Sequence, residues 1–155
     1  MVDLMKKILF LLLLLFIFPL SVFSYDFNIN SNNVILINLN EDKILYEKNS
    51  DSKTYIASLT KIMTADVTLE NINDLKIPEN EYVKDIYKYD LQTSGLRVNN
   101  SYSYEELLYA LLISSGADAA SCLARNIGGS VSNFVKMMND KAKELNLNNT
   151  KFANP

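Results

Sequence analysis

The sequence predicts an α+β fold, a short β-hairpin followed by packed helices, and three observations carry that expectation. Two apolar runs, Val34-Ile35-Leu36-Ile37 and Ile44-Leu45-Tyr46, flank the polar, turn-forming segment 38–43, as in a hairpin. From Ala57 onward the signals are helical: apolar residues at helical spacing, a capping box at Ser103 and a capping serine at Ser130. No strand pattern returns after those helices, so strands and helices are segregated along the chain.

The chain opens on a different kind of segment. Lys6 and Lys7 precede an almost wholly apolar stretch from Ile8 to Leu20, and Val22-Phe23-Ser24 supplies small or permissive residues for cleavage. That pattern is a secretory signal peptide over residues 1–24. Its apolar stretch is shorter than the roughly 20 residues that a spanning helix needs. Residues 25–155 then suffice for one modest domain with one core, and membrane contact is expected only through the signal peptide.

The first strand is apolar on both faces, which predicts a sheet covered on at least one side by helices. A lone two-stranded hairpin is marginal in water. The next element is a helix from about Ala57 to Glu70, in which helical pitch places Thr60, Lys61, Thr64 and Thr68 on one polar flank. Asp66 falls inside its apolar arc, with no physical reason visible in the sequence. Residues 71–100, with Pro78, Gly95, Tyr82, Tyr87 and Tyr89, show no sustained period and read as loops with short strands walling a cleft.

Ser103-Tyr104-Glu105-Glu106 is a capping box, and Leu107, Leu108, Leu111 and Leu112 make the helix behind it core-facing. It ends at Ser114-Ser115-Gly116, where glycine permits a reversal. A helix from Ala117 to Arg125 follows, closed by Gly128 and Gly129. Ser130 caps the last helix, whose Val131, Phe134, Val135, Met138, Ala142 and Leu145 follow the amphipathic period. Cys122, the single cysteine, reads as a small core residue, and the Met137 and Met138 pair as core filling.

The residues that carry chemistry are Ser58 and Lys61, three apart at the start of an apolar run and hence on neighbouring turns of one helix face. A serine hydroxyl needs a base within reach, and a lysine serves as one when burial lowers its pKa. Leu59, Ile62, Met63, Ala65, Val67 and Leu69 are expected to supply those low-dielectric surroundings. The same spacing at Ser50 and Lys53 lies in a charged connector and reads as solvated. Spacing alone leaves open an N-capping serine beside a snorkelling lysine. The chain has no histidine, which excludes Ser-His-Asp and Cys-His arrangements and HExxH zinc sites. A formal charge of −3 with scattered lysines gives no basic stripe for nucleic acid. No metal or organic cofactor is implied.

From about Val34 to Pro155 the chain resembles the N-terminal part of penicillin-binding D-alanyl-D-alanine carboxypeptidases, serine peptidases related to β-lactamases. The resemblance is carried by Ile44-Leu45-Tyr46-Glu47-Lys48-Asn49, by 57–65 (Ala-Ser-Leu-Thr-Lys-Ile-Met-Thr-Ala), by 104–120 and by Thr150-Lys151-Phe152-Ala153-Asn154-Pro155. It implies a β-lactamase/transpeptidase-like fold and a peptidoglycan stem peptide ending in D-Ala-D-Ala as substrate. β-Lactams are the implied inhibitors. Ser58 would form the acyl-enzyme, Lys61 would take its proton, and Ser115 would pass a proton to the departing D-alanine.

Two departures from the family pattern stand out. The second motif usually reads Ser-x-Asn, whereas Ser115-Gly116-Ala117 puts a methyl in place of the carboxamide. The Lys-Thr-Gly strand has no counterpart before Pro155, so the chain is expected to match roughly the first half of such an enzyme. Its hairpin would then have unpaired edges, and residues 25–155 alone are expected to be inactive or poorly folded. The alternative is a non-catalytic remnant or a weak binder of β-lactam or muropeptide. A β-lactamase is disfavoured, because no glutamate lies in a recognisable deacylation loop.

Overall fold

A computed structural model describes residues 6–7, 28–72, 76–77 and 91–155. The segment 1–24 expected to be a signal peptide lies outside the described residues apart from Lys6 and Lys7, as do Pro78, Tyr82, Tyr87 and Tyr89. The chain forms two compact units, residues 1–53 and 54–155.

In the first unit, β1 (Val34–Asn38) and β2 (Lys43–Lys48) pair antiparallel, with a bulge after Leu36 that leaves Leu45 without an opposite residue. Side chains tie the neighbouring turns to this ribbon. Asn33 Nδ2 donates to the Asn49 carbonyl at 2.8 Å, and Asn49 Nδ2 donates back to the Asn32 carbonyl at 2.9 Å. Within this unit Ile35, Leu36, Ile37, Ile44 and Leu45 are exposed. The helices bury their apolar stripes in one another, and among the described residues β1 and β2 pair only with each other.

The second unit begins with a 3-10 turn (Ala57–Leu59) that runs into α1 (Thr60–Asn71). Two-residue strands β3 (Lys76–Ile77) and β4 (Tyr102–Ser103) pair antiparallel and lead into α2 (Tyr104–Leu112). Helices α3 (Ala117–Gly128) and α4 (Val131–Glu144) complete it. The capping signals are where the sequence put them. Ser103 Oγ accepts from the Glu106 N–H while Glu106 Oε2 accepts from the Ser103 N–H, and Ser130 Oγ accepts from the Asn133 N–H. Gly129, at φ +70°, ends α3 in the left-handed conformation that glycine adopts without steric cost.

Helix α3 is the hub of the packing. Its Ala119, Ala120, Cys122 and Leu123 join Ala65, Tyr104, Leu107 and Leu111 in one buried cluster, and its Ala124 joins Met63, Val67, Phe134 and Met138 in another. The small residues of α3 let its neighbours approach closely. A Cβ on Gly128 would stand 2.8 Å from the Phe134 backbone nitrogen. The C-terminal segment docks on α4 through a reciprocal pair, Asn139 with the Phe152 N–H and carbonyl, each at 2.9 Å. Lys141 on α4 bridges to Glu70 on α1.

Helix α1 is rotated relative to the sequence expectation. Thr64 and Thr68, assigned to a polar flank, are fully buried, whereas Leu59, Ile62 and Leu69 are about 60% exposed. Threonine carries a methyl as well as a hydroxyl, and in a helix the hydroxyl can turn back to its own backbone, as Thr64 Oγ1 does in donating to the Thr60 carbonyl at 3.5 Å. Asp66 consequently lies on the half-buried margin instead of inside the apolar arc. Leu112 and Leu145, predicted to face the core, are exposed at the ends of α2 and α4.

The packing yields a stability prediction. Phe134→Ala empties a fully buried site and should cost about 3–5 kcal/mol in urea unfolding. Leu39→Ala, at a residue 87% exposed, should stay within about 0.5 kcal/mol of the parent. Equal effects at the two positions would contradict the core assignment.

Candidate active site

Ser58, Lys61 and Ser115 line one cleft of about 330 Å³ in the second unit, together with Ile56, Leu59, Ile62, Leu111 and Leu112. Ser58 sits in the 3-10 turn, Lys61 in the first turn of α1, and Ser115 in the connection between α2 and α3. Chain folding closes a separation of 57 residues to bring the Ser115 hydroxyl within 2.9 Å of Ser58 Oγ, to which it donates a hydrogen bond. The capping alternative for Ser58 does not hold: the residue at the N-cap of α1 is Leu59, with no side-chain cap, and the Ser58 oxygen is engaged by Ser115.

Lys61 is half-buried, and desolvation holds its amine below the ordinary lysine value of 10.5. Among the described residues it makes no ion pair or hydrogen bond that would restore the charged form. Of the apolar residues that the sequence offered as its surroundings, Leu59 and Ile62 line the cleft with Lys61, while Met63, Ala65 and Val67 are buried and Leu69 is exposed. The second serine and lysine pair is not part of this cleft. Ser50 donates to Glu47 Oε2 at 2.8 Å in the first unit, and Lys53 is exposed.

The backbone at both serines is unusual. Ala57, just before Ser58, has φ +46°, and Ser115 itself has φ +54°. Left-handed backbone costs a residue with a Cβ about 1–2 kcal/mol, and surrounding contacts have to hold it. The reversal therefore falls on Ser115 and not on Gly116, whose φ is −69°. Gly116 is needed for a different reason: a Cβ there would meet Asp118 Oδ1 at 2.6 Å and the Ser94 side chain at 2.8 Å.

Asp118 and the segment 92–96 escaped the sequence reading. The Asp118 carboxylate, fully buried in the first turn of α3, accepts from the Ser94 N–H (2.8 Å), the Ser94 hydroxyl (2.9 Å), the Gly95 N–H (3.1 Å) and the Leu96 N–H (3.0 Å). Gln92 embraces the Ser115 turn. Its Nε2 donates to the Ser114 carbonyl and its own carbonyl accepts from the Ala117 N–H, both at 2.8 Å. An aspartate shortly after the serine motif was the one available signal, and it reads equally as an acid favouring a helix N-terminus.

In chemical terms, the cleft juxtaposes two hydroxyls and an amine biased toward its neutral form. Such a set can activate a hydroxyl nucleophile and relay a proton without metal or histidine.

The chain matches the family model described as D-alanyl-D-alanine carboxypeptidase over residues 21–155. It is 38% identical over 125 residues to D-alanyl-D-alanine carboxypeptidase DacF of Bacillus subtilis, covering 78% of this chain and 32% of that protein. Against the D-alanyl-D-alanine endopeptidase of Escherichia coli the identity is 35%, covering 78% of this chain and 39% of that one. The crystal structure of the Streptomyces K15 DD-transpeptidase superposes with a TM-score of 0.79 at 31% identity, covering 84% of this chain and 54% of that one. Penicillin binding protein 5 of Haemophilus influenzae gives a TM-score of 0.74 at 30% identity, covering 85% of this chain and 40% of that one. The chain thus spans well under half the length of these two curated relatives. Its α+β arrangement is part of the β-lactamase-like fold of the DD-peptidases. By that match, which takes in the cleft and the four helices of the described residues, the chain belongs to the D-alanyl-D-alanine carboxypeptidase family, a family of hydrolases.

Proposed function

We propose that this chain carries the acylation centre of a serine-type D-Ala-D-Ala carboxypeptidase. The observation that carries this reading is the 2.9 Å contact of Ser115 Oγ with Ser58 Oγ in the cleft lined by desolvated Lys61. Lys61 Nζ takes the Ser58 proton as Oγ attacks the carbonyl carbon of the penultimate D-alanine in a peptidoglycan stem peptide. The Ser58 N–H, in the turn entering α1, donates to the developing oxyanion. As the C–N bond breaks, Ser115 hands its proton to the D-alanine nitrogen and takes in exchange the proton held on Lys61, so both side chains return to their starting forms while the acyl group remains on Ser58. Water then hydrolyses that ester, so one difficult amide cleavage becomes two easier steps.

A β-lactam enters the same chemistry: Ser58 opens the ring and retains the acyl group. The lysine pair and apolar run of residues 1–24 support export and action in the cell envelope, where the protein would serve cell-wall biogenesis and cell shape. Residues 25–155 would be the N-terminal portion of the catalytic domain.

Mass spectrometry after incubation with benzylpenicillin tests the assignment. Because Ser58, Lys61 and Ser115 line one cleft, acylation is proposed in place of the inactivity expected from the sequence: on folded protein a single adduct is expected on the parent and on Ser50→Ala and none on Ser58→Ala. An adduct that survives Ser58→Ala, or none on folded parent protein, would refute it.

Ala117 supplies a second prediction. With no carboxamide to hold the lysine and the substrate backbone, acylation should be slow, and Ala117→Asn should accelerate it by about tenfold or more, as expected for one well-placed hydrogen-bonding group. An unchanged or lower rate of fluorescent penicillin labelling would show that position 117 does not limit the reaction.

A further inference from the structure

The strained turn that presents Ser115 is gripped on both sides by one distant segment. Gln92 binds the carbonyl of Ser114 and the N–H of Ala117, and so brackets Ser115 and Gly116 between two 2.8 Å hydrogen bonds. The Gly116 N–H is spent on the Ala110 carbonyl at the end of α2, at 3.1 Å. Gln92 can hold the turn only if its own segment is fixed. The fixing group is the Asp118 carboxylate, which takes four hydrogen bonds from residues 94–96 and a fifth from the Ala119 N–H at 2.9 Å. Nothing separates clamp from turn, because Gly116 leaves no room for a Cβ between Asp118 and Ser94.

We infer that Asp118 is a positioning residue for Ser115: by locking residues 92–96 against the start of α3, it holds the Ser115 hydroxyl within hydrogen-bonding reach of Ser58. This deepens the acyl-transfer reading above and rests on it for its kinetic consequence alone; the geometric consequence stands independently. A carboxylate that merely stabilised α3 through its N-terminal charge would not single out the Ser114–Ala117 turn.

Asp118→Asn preserves shape but replaces one acceptor oxygen with a donor facing donors. In the full chain, hydrogen exchange should show the Ala117 and Gly116 amides losing protection by about tenfold or more while the α4 amides keep theirs. Unchanged protection at 116 and 117, or an equal loss everywhere, overturns the inference. Should Asp118→Asn not fold, Ser94→Ala keeps the carboxylate but removes one of the donors that lock residues 92–96 to it, and the same two amides should lose part of their protection; their full protection in that variant would overturn it.

Acylation by labelled penicillin supplies the readout a purely structural role would not move. Asp118→Asn should slow acylation by about a hundredfold in the parent, the order expected when a reacting group is misplaced by an ångström. In a Ser115→Ala background it should add little, since both changes remove the same contribution. Equal slowing in both backgrounds would overturn the inference. Absence of any acylation in the parent would count against the proposed reaction, while hydrogen exchange would still decide the role of Asp118.

Discussion

A carboxylate sealed from water survives in a protein interior only if donors meet its oxygens, and Asp118 is met by five. Four of those donors come from a segment more than twenty residues away, so one side chain ties an irregular strip of chain to the start of the central helix. That helix, α3, contributes to both buried clusters, and its alanines and glycines bring α1, α2 and α4 close. The turn that carries Ser115 is thus trapped between a rigid hub and a strip fastened to it. A left-handed serine at φ +54° is tolerable under those conditions and would relax without them.

The same arrangement explains how two serines that the sequence separates by 57 positions come to share a hydrogen bond. The 3-10 turn sets Ser58 at the mouth of the cleft, and α1 carries Lys61 half a layer into the protein. Burial, with no anion paired to it among the described residues, works against the charged amine, which is the condition a lysine needs to act as a base. Ala117 leaves this group without the carboxamide usual in its family. Desolvation is what lowers the Lys61 amine.

Local signals were legible in the sequence and tertiary ones were not. The capping box at Ser103, the cap at Ser130 and the glycine stop after α3 involve residues within a few positions of one another, so their chemistry is written contiguously. Ser58 and Lys61 were recognisable for the same reason. Hydroxyl polarity misassigned the inward face of α1, because Thr64 and Thr68 are fully buried while Ile62 and Leu69 are exposed. The role of Asp118 was illegible because its partners lie 22 to 24 residues upstream in a segment with no periodicity. Gly116 looked like the residue of the reversal, yet what it supplies is space.

The chemistry of the site turns on whether the Lys61 amine is available as a free base near neutral pH. An NMR titration of the Lys61 side-chain amine in the folded protein measures this directly. Desolvation disfavours the ammonium form, so the amine should titrate below 10.5, with its neutral fraction rising as pH increases through that lowered value. A titration at or above 10.5 would mean that Lys61 remains a cation in the neutral range, and would contradict its assignment as the base that activates Ser58.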